Sequence, residues 1–154
     1  MLKPARYLIT DLDYWTATDI VLSAPLRELT GTLHHLFSDE APFTPAQTAA
    51  AAGIMLQMAG YLCDAVRHGP ATVPDRAALA RLLHAINLLL AYLAQAVDRL
   101  AHQVETGTGA DLSPLDTTPA TLTAILAAAT SRLEDTADLI KQAHVAARSR
   151  LDIR

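Results

Sequence analysis

The stretch Leu79–Val104, LARLLHAINLLLAYLAQAVDRLAHQV, decides how the rest of the chain is read. Leu79, Leu82, Leu83, Ile86, Leu90, Leu93, Val97, Leu100 and Val104 recur at steps of three and four. At about 100° per residue they share one stripe, the seam of a helix packed in a bundle. The opposite side carries Arg81, His84, Gln95, Arg99 and His102, with Leu88 and Tyr92 among them. A helix apolar on two sides needs cover on two sides, from another helix, a second copy of the chain or lipid.

Upstream, Thr44-Pro45-Ala46-Gln47 has the form of a capping box with proline at the first helical position. It predicts a helix over 45–68 that stops at Gly69-Pro70. Ala51, Ile54, Met55, Met58, Leu62 and Ala65 form its core stripe. Around the back lie Ala49, Gly53, Leu56, Gly60 and Cys63, mostly small residues that permit close approach by another helix. Each interior glycine costs about 1 kcal/mol relative to alanine, which such an approach could offset; alanine-rich drift explains the face equally well.

Before it, the series Trp15, Leu22, Leu26, Leu29, Leu33 and Leu36 runs in phase through Pro25. The expected helix spans 14–38 with a kink at Pro25, a break at Ser23 being the alternative. Asp13 is its candidate N-cap, and residues 1–12 read as an arm. Downstream, Thr72-Val73-Pro74-Asp75 reads as the box that opens the 73–106 helix. After a loop at 107–117, Thr118-Pro119 opens a helix over 119–151. Its stripe is Leu122, Leu126, Ala129, Leu133, Ala137, Ile140, His144, Ala147 and Leu151. The shared Thr-Pro-Ala at 44–46 and 118–120 hints at a duplicated hairpin, but three residues cannot establish one. The expectation is a single all-α domain over 1–154, a four-helix bundle, up-down-up-down and antiparallel because the connections are short.

Composition narrows the function classes. The 154 residues are 51% hydrophobic, 18% charged and only 5% aromatic, which favours close-packed alanine- and leucine-rich helices. A net charge of −4 argues against a nucleic-acid footprint across the surface. Two lysines against ten arginines reflect a GC-rich, bacterial coding bias. The N-terminus lacks the apolar core and cleavage site of a signal peptide, which points to a cytoplasmic protein. Ala41–Cys63 holds 23 residues without a charge, but Pro42, Thr44, Pro45, Gln47, Thr48 and Gln57 interrupt it. Leu82–Val97 is charge-free for only 16 residues and includes His84, Asn87 and Gln95. No membrane span is expected from either run.

Chemistry finds little purchase. Asp64 with His68, and Asp98 with His102, each place a carboxylate and an imidazole on one helix face. An antiparallel bundle sends these pairs to opposite ends, and no Glu-x-x-His motif occurs. Neither a metal nor a cofactor is expected. Cys63 has no activating neighbours, no nucleophile or phosphate-binding motif is present, and no catalytic residue is assigned. Glu134, Asp135 and Asp138 read as a solvated face. Lys141, Arg148, Arg150 and Arg154 suit a helix C-terminus through the macrodipole. Of the histidines only His144 falls on a core stripe, with His68 or Asp64 as its possible partner; the others read as outward-facing.

The resulting expectation is a non-enzymatic protein acting through protein–protein contact, as a homodimer built on Gly53, Leu56, Gly60, Cys63, Leu88 and Tyr92. One alternative is a module binding a small apolar ligand beside Met55, Met58 and Tyr61. Another is a regulator touching nucleic acid through the arginine-rich C-terminal end.

Overall fold

The computed structural model describes residues 23–38, 40–69, 73–107 and 118–148. Among them the fold is all-helical, with four helices and no strand. They are α1 (Ala24–Leu36), α2 (Pro45–Val66), α3 (Arg76–Thr106) and α4 (Pro119–Arg148). The arm at 1–12, Asp13, Trp15, Leu22, Thr72, most of the 107–117 loop, Arg150, Leu151 and Arg154 lie outside the described residues.

The helix starts follow local chemistry. Thr44 Oγ1 accepts from the Gln47 amide at 3.2 Å, and its hydroxyl donates to Gln47 Oε1 at 3.0 Å. The same scheme opens α4, where Thr118 Oγ1 accepts from the Thr121 amide at 3.3 Å. Two starts correct the sequence reading. Ser23 is extended (φ −60°, ψ 156°), so Pro25 sits in the first turn of a helix that begins at Ala24 rather than kinking one that runs through. Proline is tolerated there because first-turn amides lack an intrahelical acceptor. At α3 the cap is Asp75, whose Oδ1 accepts from the Ala78 amide at 2.7 Å, and Pro74 stays outside the helix.

Glycine ends both long inter-helix approaches. Gly69 (φ +54°) follows α2, which stops at Val66, two residues before the expected end. Gly107 (φ +63°, ψ 16°) caps α3, and its amide donates to the Val104 carbonyl. A Cβ at Gly107 would meet nothing within 4 Å among the described residues, so Gly107→Ala isolates the left-handed backbone strain. We expect that substitution to cost about 1 kcal/mol, read as a lower thermal midpoint by circular dichroism. No change would mean that the αL cap is dispensable.

The described chain divides into two units, one holding α1 and α2 and the other α3 and α4. In the first unit neither helix has a buried residue. In the second, α3 and α4 pack along their length as a hairpin. Two cross-contacts fix its sense: Ala80 meets His144, and Asn87 meets Ala137. Moving forward along α3 moves backward along α4, so the pair is antiparallel.

Candidate functional site

The residues buried on α3 are Ala80, His84, Asn87, Ala91, Ala94 and Ala101. Their spacing of four, three, four, three and seven is a heptad seam, and each directly follows a member of the leucine stripe. One residue is about 100° of rotation. The face pressed against α4 is therefore turned by that amount from the stripe predicted as the seam, and the leucines flank it. Leu79 and Leu100 are exposed, and Leu83, Ile86, Leu90 and Leu93 are half-buried. Alanines win the centre because small side chains let two helix backbones approach closely, gaining dispersion contacts along the whole line. Ala91 and Ala137 form the buried cluster, with Leu90 packed beside them.

On α4 the predicted stripe is the packed one. Ala137 and His144 are buried, and Leu122, Leu126, Ala129, Leu133, Ile140 and Ala147 are half-buried.

Three polar side chains interrupt the alanine seam: His84 (4% exposed), Asn87 (0%) and His144 (1%). Asn87 Nδ2 donates across to the Ala137 carbonyl at 2.6 Å. His144 Nδ1 lies 2.8 Å from the Ala80 carbonyl. A carbonyl only accepts, so Nδ1 carries the hydrogen. The bond therefore joins His144 to α3 rather than to His68 or Asp64. The His84 and His144 rings are 5.4 Å apart between centroids, tilted by 45°. Burial first, and the neighbouring His144 second, hold the His84 imidazole below its ordinary value of 6.5. His84, expected on the outward face, is thus an interior residue. The sequence signal was the heptad of small and polar positions, which leucine counting overlooks.

The other predicted positions are on open or flanking surface. Gly53, Leu56, Gly60 and Cys63 are exposed, Leu56 at 74%, and Cys63 is a free thiol. A Cβ at Gly53 or Gly60 would meet nothing within 4 Å among the described residues, so no described backbone approaches them closely. Leu88 and Tyr92 are half-buried, on the flank of α3 opposite the leucine stripe. Met55, Met58 and Tyr61 are all exposed. The Asp–His pairs do not form: Asp64 holds Arg67 at 3.3 Å, and the carboxylate near His102 is Glu105, at 3.9 Å. Among the described residues no three His, Cys, Asp or Glu side chains converge where a metal could sit.

Among the described residues two helices, α2 and α3, are long and apolar enough to cross a membrane, with mean hydropathies of 1.4 and 1.6 over 18-residue windows. The apolar window of α2 is 0% buried and that of α3 is 28% buried. Compared with protein-family models, curated proteins and solved structures, the chain matches none.

Proposed function

We propose that this protein acts through protein–protein contact, as a cytoplasmic homodimer whose helices complete an up-down-up-down four-helix bundle only when assembled. The observation that carries this reading is α2: an apolar helix of 22 residues, charged only at Asp64, without one buried side chain. Apolar helices of that kind belong in a core, an interface or a bilayer. Phe43, Leu56, Tyr61 and Val66 are the most open of its large side chains and those just before it. Burying Leu56 and Tyr61 contributes about 1.5–3 kcal/mol each.

A second copy fits this face by its charge pattern. Ala41–Cys63 carries no charge, so a two-fold pairing brings no like charges together along it. Run antiparallel about a point between Gly53 and Gly60, the pairing sets each glycine opposite its counterpart and brings the Glu40 end toward the Arg67 end. Leu88 and Tyr92 are a second place where apolar surface awaits cover. Lipid suits α2 less well, because Gln47, Thr48 and Gln57 would enter hydrocarbon with it. No catalytic role, cofactor, metal or nucleic-acid partner belongs to this reading.

Light scattering on the purified chain provides the test. The expected mass is twice the 16.5 kDa of one chain. Replacing Leu56 and Tyr61 with glutamate should give folded monomers of unchanged helix content. A monomeric wild type rejects the proposal, and a wild type that stays in solution only with detergent transfers α2 to a bilayer.

A further inference from the structure

We propose that the α3–α4 hairpin lies face to face on the hairpin of a second copy, both pointing the same way, so that α3 of each chain packs against α4 of the other. The inference rests on the self-association reading and deepens it, by naming a further contact between the same two chains.

One side of the hairpin carries the surface such a contact needs. Among the described residues its exposed large apolar side chains are Leu79 and Leu100 on α3 and Ile125, Leu139 and Val145 on α4. Leu79 and Leu100 directly precede the buried Ala80 and Ala101. Ile125 and Leu139 directly precede Leu126 and Ile140 on the packed stripe of α4. Reversing a helix reverses the sense in which its residues turn about the seam. Residues that precede the seam on two antiparallel helices therefore project to the same side of the pair. Four of the five share that face.

Register and charge name a second copy as the occupant. Within the hairpin Ala80 is level with His144, and Asn87 with Ala137. A two-fold axis parallel to the helices preserves these levels between the two chains. Leu79, Ile86 and Leu93 then fall, within about 3 Å of axial rise, opposite the partner's Ala143, the partner's Thr136 and the partner's Ala129. Large side chains meet small ones, as close helix packing requires. Among the residues that precede the seam, none from Leu79 to Leu100 is charged, and from Leu122 to Ala143 only Arg132 is. Arg132 falls opposite the partner's Leu90, an apolar neighbour past which its long stem carries the guanidinium to water.

The end-for-end arrangement fails on that arginine. Pairing the leucine stripe with its own copy sets Leu79 opposite the partner's Val104 and centres the axis between Ala91 and Tyr92. That is the level of Arg132 and Leu133 on α4, so the two arginines of the dimer would be pressed together. From Leu79 to Val104 the face is about 39 Å long, and two helices make it about 20 Å wide. That approaches the roughly 800 Å² per partner of a standard interface. Leu83, Ile86, Leu90 and Leu93 are already half-buried, so the contact adds to that of α2 rather than replacing it.

Two measurements on the full chain test the pairing. Spin labels on Arg76→Cys or Glu105→Cys, both at exposed positions, read the orientation once Cys63→Ser has removed the free thiol. Hairpins pointing the same way hold each label within about 30 Å of its copy at both positions. End-for-end hairpins separate them by about 46 Å and about 40 Å along the helix, and a distance above about 30 Å at either position overturns the proposal. Leu100→Glu combined with Leu139→Glu, both on exposed surface, is expected to weaken the dimer at least about tenfold in Kd by sedimentation. An unchanged Kd overturns this contact and leaves that of α2 standing. A monomeric wild type overturns both.

Discussion

Ala91→Leu is expected to force α3 and α4 apart and to lower the stability of the hairpin by about 3 kcal/mol. Ala91 and Ala137 are both 0% exposed and pack together at the centre of the seam, with Leu90 closing the side. A leucine there has three more carbons than the space holds. The helices must separate, and the dispersion contacts of the neighbouring alanines are lost with them. Ala96, on the exposed side of the same helix, is the control, and its replacement by leucine should change stability by less than about 0.5 kcal/mol. Thermal and urea unfolding followed by circular dichroism compare the two. Equal stability of both variants would move the α3 seam back onto the Leu83–Leu93 stripe.

The second large effect concerns Asn87, which is 0% exposed and donates to the Ala137 carbonyl at 2.6 Å. Asn87→Asp keeps the shape, removes the donor and sets a carboxylate against a carbonyl oxygen inside the seam. An uncompensated buried charge of this kind costs about 3–5 kcal/mol at neutral pH. The buried carboxylate would bind its proton more tightly than in the unfolded chain. The deficit relative to wild type is therefore full above the folded-state value and shrinks as pH falls through it, when the protonated group can donate again. Asn87→Leu offers the contrast. The Ala137 carbonyl retains its helical backbone bond, and Asn87 Oδ1 has no hydrogen-bond partner among the described residues, so its loss removes an unsatisfied acceptor. That variant should lie within about 1.5 kcal/mol of wild type. If aspartate were tolerated as well as leucine in urea titrations, Asn87 would have to be solvated and the seam open at that level.

Asn87 and His144 also explain how an alanine seam finds one register. Alanine repeats slide past each other with little penalty, because each small side chain resembles the next. A carbonyl and a side-chain donor seven residues apart on α3 (Ala80 and Asn87), matched by a side-chain donor and a carbonyl seven apart on α4 (His144 and Ala137), fit only one alignment. The wrong alignments would leave buried polar atoms without these bonds.

Local chemistry was legible in the chain, and long-range choice was not. Thr44, Thr118, Gly69 and Gly107 announce where helices start and stop, because capping depends on side chains within one turn of the boundary. The helical phase of α4 was readable because Leu122, Leu126, Leu133, Ala137 and Ile140 form one apolar stripe on a helix whose other side carries Arg132, Asp135 and Asp138. At Pro25 the sequence offered a kink or a start, and the extended backbone of Ser23 chose the start.

The phase of α3 had to come from its partner. Leucine, alanine and polar positions on α3 offer several possible faces, since apolar side chains lie nearly all round. Hydrophobicity ranks the leucine stripe first, whereas close packing against α4 selects the line of smallest side chains one residue on, and takes His84 inside with it. Sequence alone therefore determined that this protein is made of helices, where they are punctuated, and that one of them is apolar on more than one side. Tertiary structure alone decided that an alanine line holds the hairpin and that His84 and Asn87 join the expected His144 inside it, because approach distance between two helices is a property of the pair.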